Sequence, residues 1–375
     1  MSAAAVSELA AALGRLCSRP WTLMEVCGGQ THAIVRWGLD QLLPPDLRLI
    51  HGPGCPVCVT PAATIDATLS LARRPEVILC SYGDMLRVPG SVPGSGGAGE
   101  HDLLAVRAAG GDVRLLTSPL QALELARAHP DRQVVFLAVG FETTAPATAL
   151  LARQARRLAL PNLALLCAHV RVVPAMEAIL DDPDHRVQGF LAAGHVCAVT
   201  GLAELEDLVG RRRLPVVVTG FEPLELMSGL LACVRFLEEG RPALANAYGT
   251  VVRHQGNAAA QALLEEVFEP ADGPWRGFGT VRAGVLRLRP AYAGLDARHR
   301  FGLDGGLDGD RAAGLDPLTT APESAGPCIA ARVLQGRAVP GDCPAFGAAC
   351  TPEHPLGAPM VSSEGACAAW YRYRR

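Results

Sequence analysis

Short apolar runs alternate with amphipathic or Ala/Leu-rich segments over the first two thirds of the chain. The apolar runs are rich in Val, Leu and Ile and predict strands, whereas the segments between them have the 3.6-residue period of helices. Strands that are apolar on both faces and alternate with helices are typical of parallel sheets, so the predicted fold class is α/β. The predicted strands lie near 46–50, 76–80, 113–117, 133–139, 163–168, 187–193 and 214–219. The predicted helices lie over 61–73, 119–129, 146–158 and 223–239.

A turn at residues 130–132 (Pro-Asp-Arg) divides these strands and predicts two similar small parallel-sheet α/β domains. The first domain is placed at residues 46–130 and the second at 131–240. An N-terminal segment, 1–45, precedes them, and an irregular C-terminal domain, 241–375, follows them. Because the apolar period weakens along this last region, no third sheet of the same kind is expected there.

The sequence Gly-Phe-Glu ends two of the apolar runs, at Gly140–Glu142 and at Gly220–Glu222. A proline soon after each one suits the first turn of a helix. Both glutamates are therefore expected at the carboxyl ends of strands, where open α/β sheets bind their ligands. The alternative is that Gly-Phe-Glu is only a recurrent strand-to-helix turn.

Two segments rich in glycine and proline interrupt the pattern, at 83–99 and at 302–327. Loops of this length are usually either mobile or functional. The second segment separates the predicted sheets from the last cysteines, which supports a distinct C-terminal region.

The charge composition excludes several function classes. All 34 basic residues are Arg, against 37 Asp and Glu, for a net charge of −3. The absence of Lys excludes Schiff-base chemistry and a P-loop lysine, and the charge balance offers no basic field for nucleic acid. No run reaches the roughly 18 apolar residues of a membrane span, and no secretory pattern opens the chain. We therefore expect a cytoplasmic protein.

The 12 cysteines change this picture, because such a density in a cytoplasmic chain indicates metal or redox chemistry. The motif Cys55-Pro56-Val57-Cys58 follows a predicted strand and precedes a predicted helix. The positive end of a helix favours thiolate, so both redox exchange and metal ligation are expected at this motif. Half of a structural zinc site would require a second Cys-x-x-Cys, which the sequence lacks.

A second constellation runs from Cys27 through two glycines to His32. The glycines let the backbone approach a ligand closely. Thr31 is placed to cap a helix running from His32 to about Leu43, so Cys27 precedes a helix start with His32 near it as a base or orienting donor. The alternative is an inert buried cysteine.

The last four cysteines are dispersed, with 14, 6 and 16 residues between them: Cys328, Cys343, Cys350 and Cys367. Zinc sites usually contain a short Cys-x-x-Cys, so these four thiols better suit a cubane iron–sulfur cluster. From the spacing alone, zinc or two disulfides stay open as alternatives. Five others fall in apolar helices or at strand ends and are interpreted as small hydrophobic residues: Cys17, Cys80, Cys167, Cys197 and Cys233.

These motifs form an ordered series over nearly the whole chain: Glu25–His32, His51–Cys58, Ser81–Gly90, Gly140–Pro146, Ala193–Cys197, Gly220–Pro223 and the four C-terminal cysteines. The series resembles the HypD family of NiFe-hydrogenase maturation proteins. The resemblance implies a scaffold on which the hydrogenase iron acquires two cyanides and one carbon monoxide. It also implies a small β-barrel partner, HypC, that shares the iron, and HypE with HypF as the source of cyanide.

Carried over by position, the resemblance implies that Cys27 is an iron ligand and that Cys55 and Cys58 are a redox-active pair. The last four cysteines would be the ligands of a 4Fe–4S cluster in a third domain. We hypothesise that electrons pass from this cluster to the dithiol and then to iron held by Cys27 and a HypC thiolate. Soft thiolates suit such iron, and a dithiol stores two electrons.

Further interpretations follow from the same hypothesis. Glu142, Thr143 and Thr144, at a strand end, would line the iron site and hydrogen-bond cyanide nitrogens. The loop at 83–99 is a candidate HypC surface. Two other classes of function stay open, an iron–sulfur thiol–disulfide oxidoreductase and a structural zinc-bearing interaction protein.

Overall fold

The computed structural model describes residues 3–91, 101–303 and 327–374. Nine strands form two wholly parallel sheets within these ranges, and two more form an antiparallel hairpin. The first sheet contains β1 (Trp21–Glu25), β2 (Leu47–His51), β7 (Gly189–Ala193), β8 (Val216–Thr219) and β9 (Leu244–Asn246). The second contains β3 (Val77–Ser81), β4 (Val113–Leu115), β5 (Gln133–Gly140) and β6 (Leu163–His169). The hairpin consists of β10 (Phe268–Trp275) and β11 (Gly279–Leu288).

Helices cover the sheets and connect their strands. In chain order these are α1 (Ala3–Leu16), α2 (Gly28–Trp37), α3 (Pro56–Val59), α4 (Ala62–Ala72), α5 (Leu103–Ala108), α6 (Gln121–Ala128), α7 (Ala145–Arg157), α8 (Val172–Asp181), α9 (Gly194–Thr200), α10 (Ala203–Arg212), α11 (Pro223–Glu238), α12 (Ala258–Val267), α13 (Ala297–Phe301), α14 (Ala330–Leu334) and α15 (Ala366–Tyr373). Short 3-10 helices occur at Leu39–Leu42, Gly83–Arg87, Pro290–Leu295, Pro340–Asp342 and Ala358–Met360. Across the described ranges, every helix is too short or too polar to cross a membrane.

The α/β class and the parallel sheets are confirmed, and each predicted strand and helix overlaps an observed one. The sequence pattern missed β1, β9 and the hairpin. β1 is only five residues long and ends in a charged residue, Glu25. β1 is buried because it lies between β2 and β7 in the sheet, and this pairing cannot be recognised from the residues of β1 alone.

The predicted division of the strands at residues 130–132 is wrong for the sheets. The first sheet has the order β2-β1-β7-β8-β9 and the second has the order β4-β3-β5-β6. The chain therefore builds two strands of the first sheet, forms the whole second sheet, and then returns to the first at β7. β1, which lies in the predicted N-terminal segment 1–45, pairs with both β2 and β7.

The sheets are buried on both faces, as their continuous apolar strands require. In β8 the side chains of Val216, Val217 and Val218 are all inaccessible to solvent. Val217 packs in a cluster with α1 and α11, whereas Val216 and Val218 face the cluster that contains α8 and α10. Rigid packing on both faces fixes the positions of the strand ends, from which the functional side chains project.

The predicted C-terminal domain 241–375 begins with β9, which belongs to the first parallel sheet. Beyond β9, its described residues contain the antiparallel hairpin, short helices and irregular loops, and no further parallel strand. Much of the predicted loop at 302–327 lies outside the described residues, as do residues 92–99 of the predicted loop at 83–99. The part of the first loop that is described contains the 3-10 helix Gly83–Arg87.

Candidate functional site

Four neighbouring strands of the first sheet end at one edge, and each leads into a motif that the sequence singled out. β2 leads to Cys55, β1 to Cys27, β7 to His195 and β8 to Phe221. The carboxyl ends of parallel strands meet at the same edge of a sheet, which is where such folds bind ligands. The sheet order therefore brings together motifs that lie almost 200 residues apart in the sequence.

Cys27 is the N-cap residue of α2, and its side chain is 1% exposed. Burial raises the pKa of the Cys27 thiol, while hydrogen bonds from the backbone N–H groups of Gln30 and Gly29 oppose that rise. The predicted placement of Cys27 at a helix start is confirmed. The helix begins at Gly28 instead of His32, however, and it ends before Gly38, whose left-handed φ of 62° stops it well before Leu43.

His195 faces the Cys27 thiol, with Nδ1 at 3.6 Å and Nε2 at 3.9 Å from Sγ. Its ring stacks on Phe221 with a centroid distance of 5.2 Å and an interplanar angle of 27°. Burial lowers the pKa of His195 to about 4, so its imidazole is neutral at neutral pH. His195 lies within the Ala193–Cys197 motif, but no role was predicted for it. A histidine directly after an apolar strand was the available signal.

His32, which was predicted to lie beside Cys27, makes its contacts elsewhere. Its Nδ1 lies 3.0 Å from the carbonyl oxygen of Ser363, and its ring packs edge-on against Tyr373. His32 therefore joins α2 to the C-terminal segment. The imidazole that faces the thiol belongs to His195.

Two glycines allow the close packing around Cys27. A Cβ at Gly54 would lie 2.3 Å from the Cys27 nitrogen, and a Cβ at Gly29 would lie 2.8 Å from the Phe221 ring. Gly28 N also donates a 2.8 Å hydrogen bond to Gly54 O. The Cys27 loop thus packs directly against the loop that leads to Cys55 on one side and against Phe221 on the other. Any larger residue at position 54 or 29 would displace the backbone of Cys27 or the ring of Phe221.

Cys55 and Cys58 are joined by a disulfide, and both are buried. Cys55 is the N-cap of α3, and its sulfur accepts a 3.2 Å hydrogen bond from Cys58 N. The two residues share one apolar core cluster with Cys27 and Phe141. The structure thus has the Cys-x-x-Cys pair in its oxidised form next to the Cys27 loop.

Glu25 is a fully buried carboxylate at the end of β1 that no sequence pattern singled out for a role. Its Oε2 accepts a 2.9 Å hydrogen bond from Cys27 N, and its Oε1 accepts hydrogen bonds from Thr31 and His51 at 2.5 and 2.8 Å. Three donors compensate for burial of the charge. Glu25 therefore holds the backbone of Cys27 in place through its hydrogen bond with Cys27 N.

Glu142 lies just beyond the carboxyl end of β5, as predicted. Its Oε1 accepts a 3.0 Å hydrogen bond from Val172 N, and Oε2 has no hydrogen-bond partner in the described structure. The side chain lines a small cavity together with Cys197 and Thr200. Burial raises the pKa of Glu142 to about 7.

Thr143 and Thr144 follow Glu142 and directly precede α7, of which Thr144 is the N-cap residue. Thr143 is half-buried, and Thr144 is exposed and donates a 3.3 Å hydrogen bond to Phe141 O. Among the described residues, no hydrogen bond joins either threonine or Glu142 to Cys27. The second Gly-Phe-Glu differs, because Glu222 is the exposed N-cap of α11.

The four C-terminal cysteines line one small pocket, which we call the cysteine pocket: Cys328, Cys343, Cys350 and Cys367. Its other walls are mainly apolar and include Phe346 and Met360. Burial raises the pKa of Cys367, and the charges of the three other thiols raise it further. In the described ranges, no three His, Cys, Asp or Glu side chains converge closely enough to hold a single metal ion. A cubane places its four thiolates on four different irons, so four soft donors around one pocket fit that group.

Four of the five cysteines that were interpreted as small hydrophobic core residues are buried. Cys80, Cys167, Cys197 and Cys233 are buried in the apolar clusters, whereas Cys17 is only half-buried. Burial raises the pKa of each of these thiols, which suits inert packing.

Comparison with known proteins decides the family. The HypD family model, described as "Hydrogenase formation hypA family", matches residues 3–374. The chain belongs to the HypD family. It is 45% identical over 371 residues to the hydrogenase maturation factor HypD of Rhodobacter capsulatus, covering 99% of this chain and 94% of that protein. It is 47% identical over 363 residues to HypD of Azotobacter vinelandii, covering 95% and 90%.

The same relationship extends to HypD of Escherichia coli (strain K12), with 41% identity over 369 residues, covering 98% of this chain and 93% of that protein. Because the match runs almost from end to end, it includes the Cys27 loop, the Cys55–Cys58 disulfide and the cysteine pocket. These three features are therefore the candidate functional elements of a HypD-family member.

Proposed function

We propose that the chain is a cytoplasmic scaffold for assembly of the iron moiety of NiFe hydrogenases, which carries two cyanides and one carbon monoxide. The observation that carries the proposal is the convergence of Cys27, His195 and the Cys55–Cys58 disulfide at the ends of adjacent strands. The iron is the cargo of this site. Its second protein ligand is a thiolate of HypC, and HypE with HypF supplies the cyanide.

Cys27 must lose its proton to bind iron, since thiolate is the ligand. The backbone N–H groups of Gly29 and Gln30 act to lower the pKa of the Cys27 thiol and so favour negative charge on its sulfur. Neutral His195 lies close enough to receive the proton or to orient the bound cargo. Phe221, stacked on His195, keeps this imidazole in place and helps to exclude water.

The Cys55–Cys58 disulfide is the electron store of the site. Its reduction takes up two electrons and two protons, breaks one S–S bond and gives two thiols. The cysteine pocket holds the 4Fe–4S cluster, which when bound supplies electrons one at a time. For Glu142, Thr143 and Thr144, hydrogen bonding to cyanide nitrogens stays a prediction, as does HypC docking at 83–99.

The test is a Cys27→Ala variant purified anaerobically together with HypC and examined by infrared spectroscopy. We expect the cyanide and carbonyl stretching bands of the wild-type complex to disappear, because the soft iron ligand is lost. Cys17→Ala, which removes a thiol outside the site, should leave those bands unchanged. Undiminished bands in Cys27→Ala would remove Cys27 as an essential ligand.

A second candidate function is a free-standing iron–sulfur thiol–disulfide oxidoreductase, which the disulfide itself favours. It predicts turnover of disulfide substrates without HypC or iron. The exposures of 3% at Cys55 and 0% at Cys58 argue against it, since a protein disulfide must reach the attacking sulfur. A structural zinc protein predicts a colourless preparation, so a brown colour eliminates it.

A further inference from the structure

Gln30 is a buried glutamine in the first turn of α2, the helix whose N-cap residue is Cys27. Its side chain is inaccessible to solvent. Its Nε2 donates a 3.0 Å hydrogen bond to the backbone oxygen of Ala192 in β7. The same nitrogen donates a 2.7 Å hydrogen bond to the hydroxyl oxygen of Thr219, the last residue of β8. One amide group thus joins the helix that begins beside Cys27 to two strands of the first sheet.

Both strands lead into the pair of rings that faces the Cys27 thiol. Ala192 precedes His195 by three residues, and Thr219 precedes Phe221 by two. The two hydrogen bonds from the amide are therefore made close to each ring along the chain.

Strand pairing does not extend as far as these site residues. The last residues paired between β1 and β7 are Glu25 and Leu191, and one further hydrogen bond joins Val26 N to Leu191 O. Beyond that point the Gln30 amide supplies the hydrogen bonds that join α2 to β7 and β8.

The partners of the Gln30 amide set its direction. The oxygen of Ala192 can only accept, so the amide atom that faces it is the NH2 nitrogen. Thr219 accepts from the same NH2 group and donates its own hydroxyl hydrogen to Gly220 O at 3.3 Å. The Thr219 methyl group packs where a Cβ at Gly229 in α11 would overlap it, which holds the hydroxyl toward Gln30.

This arrangement leaves the other amide atom without a partner. Gln30 Oε1 is buried and accepts no hydrogen bond in the described structure. A buried acceptor without a donor costs free energy, and an apolar side chain at this position would avoid that cost. The gain from glutamine therefore lies in the geometry that its two hydrogen bonds fix.

We propose that Gln30 is a positioning residue that fixes the distance between the Cys27 thiol and the His195–Phe221 pair. In the structure this distance is 3.6 Å from the Cys27 sulfur to His195 Nδ1. The groups of a binding site have to be held to within about 0.5 Å of their productive geometry by side chains that are themselves locked. The effect on iron bound at Cys27 rests on the proposed function.

The experiment compares four variants with the wild-type protein. Gln30→Leu removes both hydrogen bonds at similar size, and Thr219→Val removes only the hydroxyl group. Thr219→Ser keeps that hydroxyl, and Gln41→Leu changes an exposed glutamine in the 3-10 helix that follows α2. Circular dichroism and urea unfolding establish first that each variant is folded.

The first readout needs no iron. Protein purified without HypC and labelled with ¹³C in its histidine rings is examined by NMR, and the His195 signals are assigned by their loss in His195→Gln. These signals report the stacking on Phe221 and the nearby Cys27 sulfur. We expect them to move by more than their linewidth in Gln30→Leu, and by less in Thr219→Val. Thr219→Ser should stay closer to wild type than Thr219→Val, and Gln41→Leu should match wild type.

The second readout is the infrared spectrum of the complex with HypC. We expect the cyanide and carbonyl bands of Gln30→Leu to shift in frequency and broaden, because the groups around the iron are no longer held at one distance. A role in stability alone would lower the band intensities and leave their frequencies unchanged.

Unmoved His195 signals in folded Gln30→Leu would overturn the proposal. Moved signals with unshifted infrared bands would overturn its extension to the bound iron. If Gln30→Leu does not fold, Thr219→Val decides: moved His195 signals support the proposal, and unmoved signals overturn it. Absence of the bands from the wild-type complex would instead contradict the proposed function, and the NMR comparison would still test Gln30.

Discussion

His51 donates a 2.8 Å hydrogen bond from Nδ1 to Oε1 of Glu25, because the parallel register of β1 and β2 sets these two residues side by side. The other ring nitrogen accepts a 3.3 Å hydrogen bond from the indole N–H of Trp370, which can only donate. The proton of the neutral ring is therefore on Nδ1. Since Glu25 also accepts from Cys27 N, the contact joins helix α15, which carries Cys367, to the proposed iron ligand.

Glu25→Gln should destabilise the protein measurably. An amide presents a donor to groups that are donors themselves, so at least one buried partner of Glu25 loses its acceptor, at a cost of about 1–3 kcal/mol. The free energy of unfolding in urea, with the disulfide intact, checks this. Glu265→Gln changes an exposed glutamate and should stay within about 0.5 kcal/mol of wild type. Equal free energies of unfolding for the two variants would show that the hydrogen bonds accepted by Glu25 do not stabilise the fold.

Gly54→Ala should displace the Cys27 loop. The added Cβ would lie 2.3 Å from Cys27 N, and overpacking of this kind costs about 1–3 kcal/mol. We expect lower stability in urea and weaker cyanide and carbonyl bands in the complex with HypC. Gly14→Ala, in open space on α1, is the matched control and should be neutral or slightly stabilising. Cyanide and carbonyl bands of wild-type intensity in Gly54→Ala would contradict the prediction that the position of the Cys27 loop matters for ligand attachment.

Much of the fold could be predicted because continuous apolar runs report buried strands wherever they occur. The assignment of strands to sheets could not, since it depends on crossovers: the chain leaves the first sheet after β2 and returns at β7. The turn at 130–132 looked like a boundary because proline and charge interrupt the period there. It connects α6 to β5 within the second sheet.

The candidate site shows the same limit. Cys27, Cys55 and Cys58 could be found from their own neighbours in the sequence, because glycine and helix-start signals are local. His195 could not be paired with Cys27, since only the adjacency of β1 and β7 brings them together. His32 was chosen by sequence proximity, but it lies on the face of α2 that packs against the C-terminal segment.

Loss of a single thiol from the cysteine pocket should lower the iron and acid-labile sulfide content of anaerobically purified protein. We expect Cys343→Ala to lose most of both, since a cubane cluster needs four thiolates. Cys17→Ala is the control, because Cys17 packs on α1 far along the chain from the pocket residues. Unchanged iron and sulfide in Cys343→Ala would exclude the cluster assignment for that residue.

Glu142 should make stability depend on pH. Its pKa is raised by burial from 4.5 to about 7, so between these values the folded state keeps a proton that the unfolded state releases. The free energy of unfolding therefore falls as pH rises through this window, by about 3 kcal/mol in total. His169 has the opposite slope: burial lowers its pKa to about 4, so its contribution is lost as pH falls below 6.5.

The comparison of wild type with Glu142→Gln separates the two groups, since His169 is common to both proteins. Urea unfolding measured from pH 4.5 to 8 should show the stability of Glu142→Gln rising relative to wild type as pH increases, with the difference levelling off above about pH 7. A difference that does not change with pH would mean that Glu142 is already ionised in the folded protein near pH 5. Its unpartnered Oε2 would then need a donor inside the cavity that it shares with Cys197.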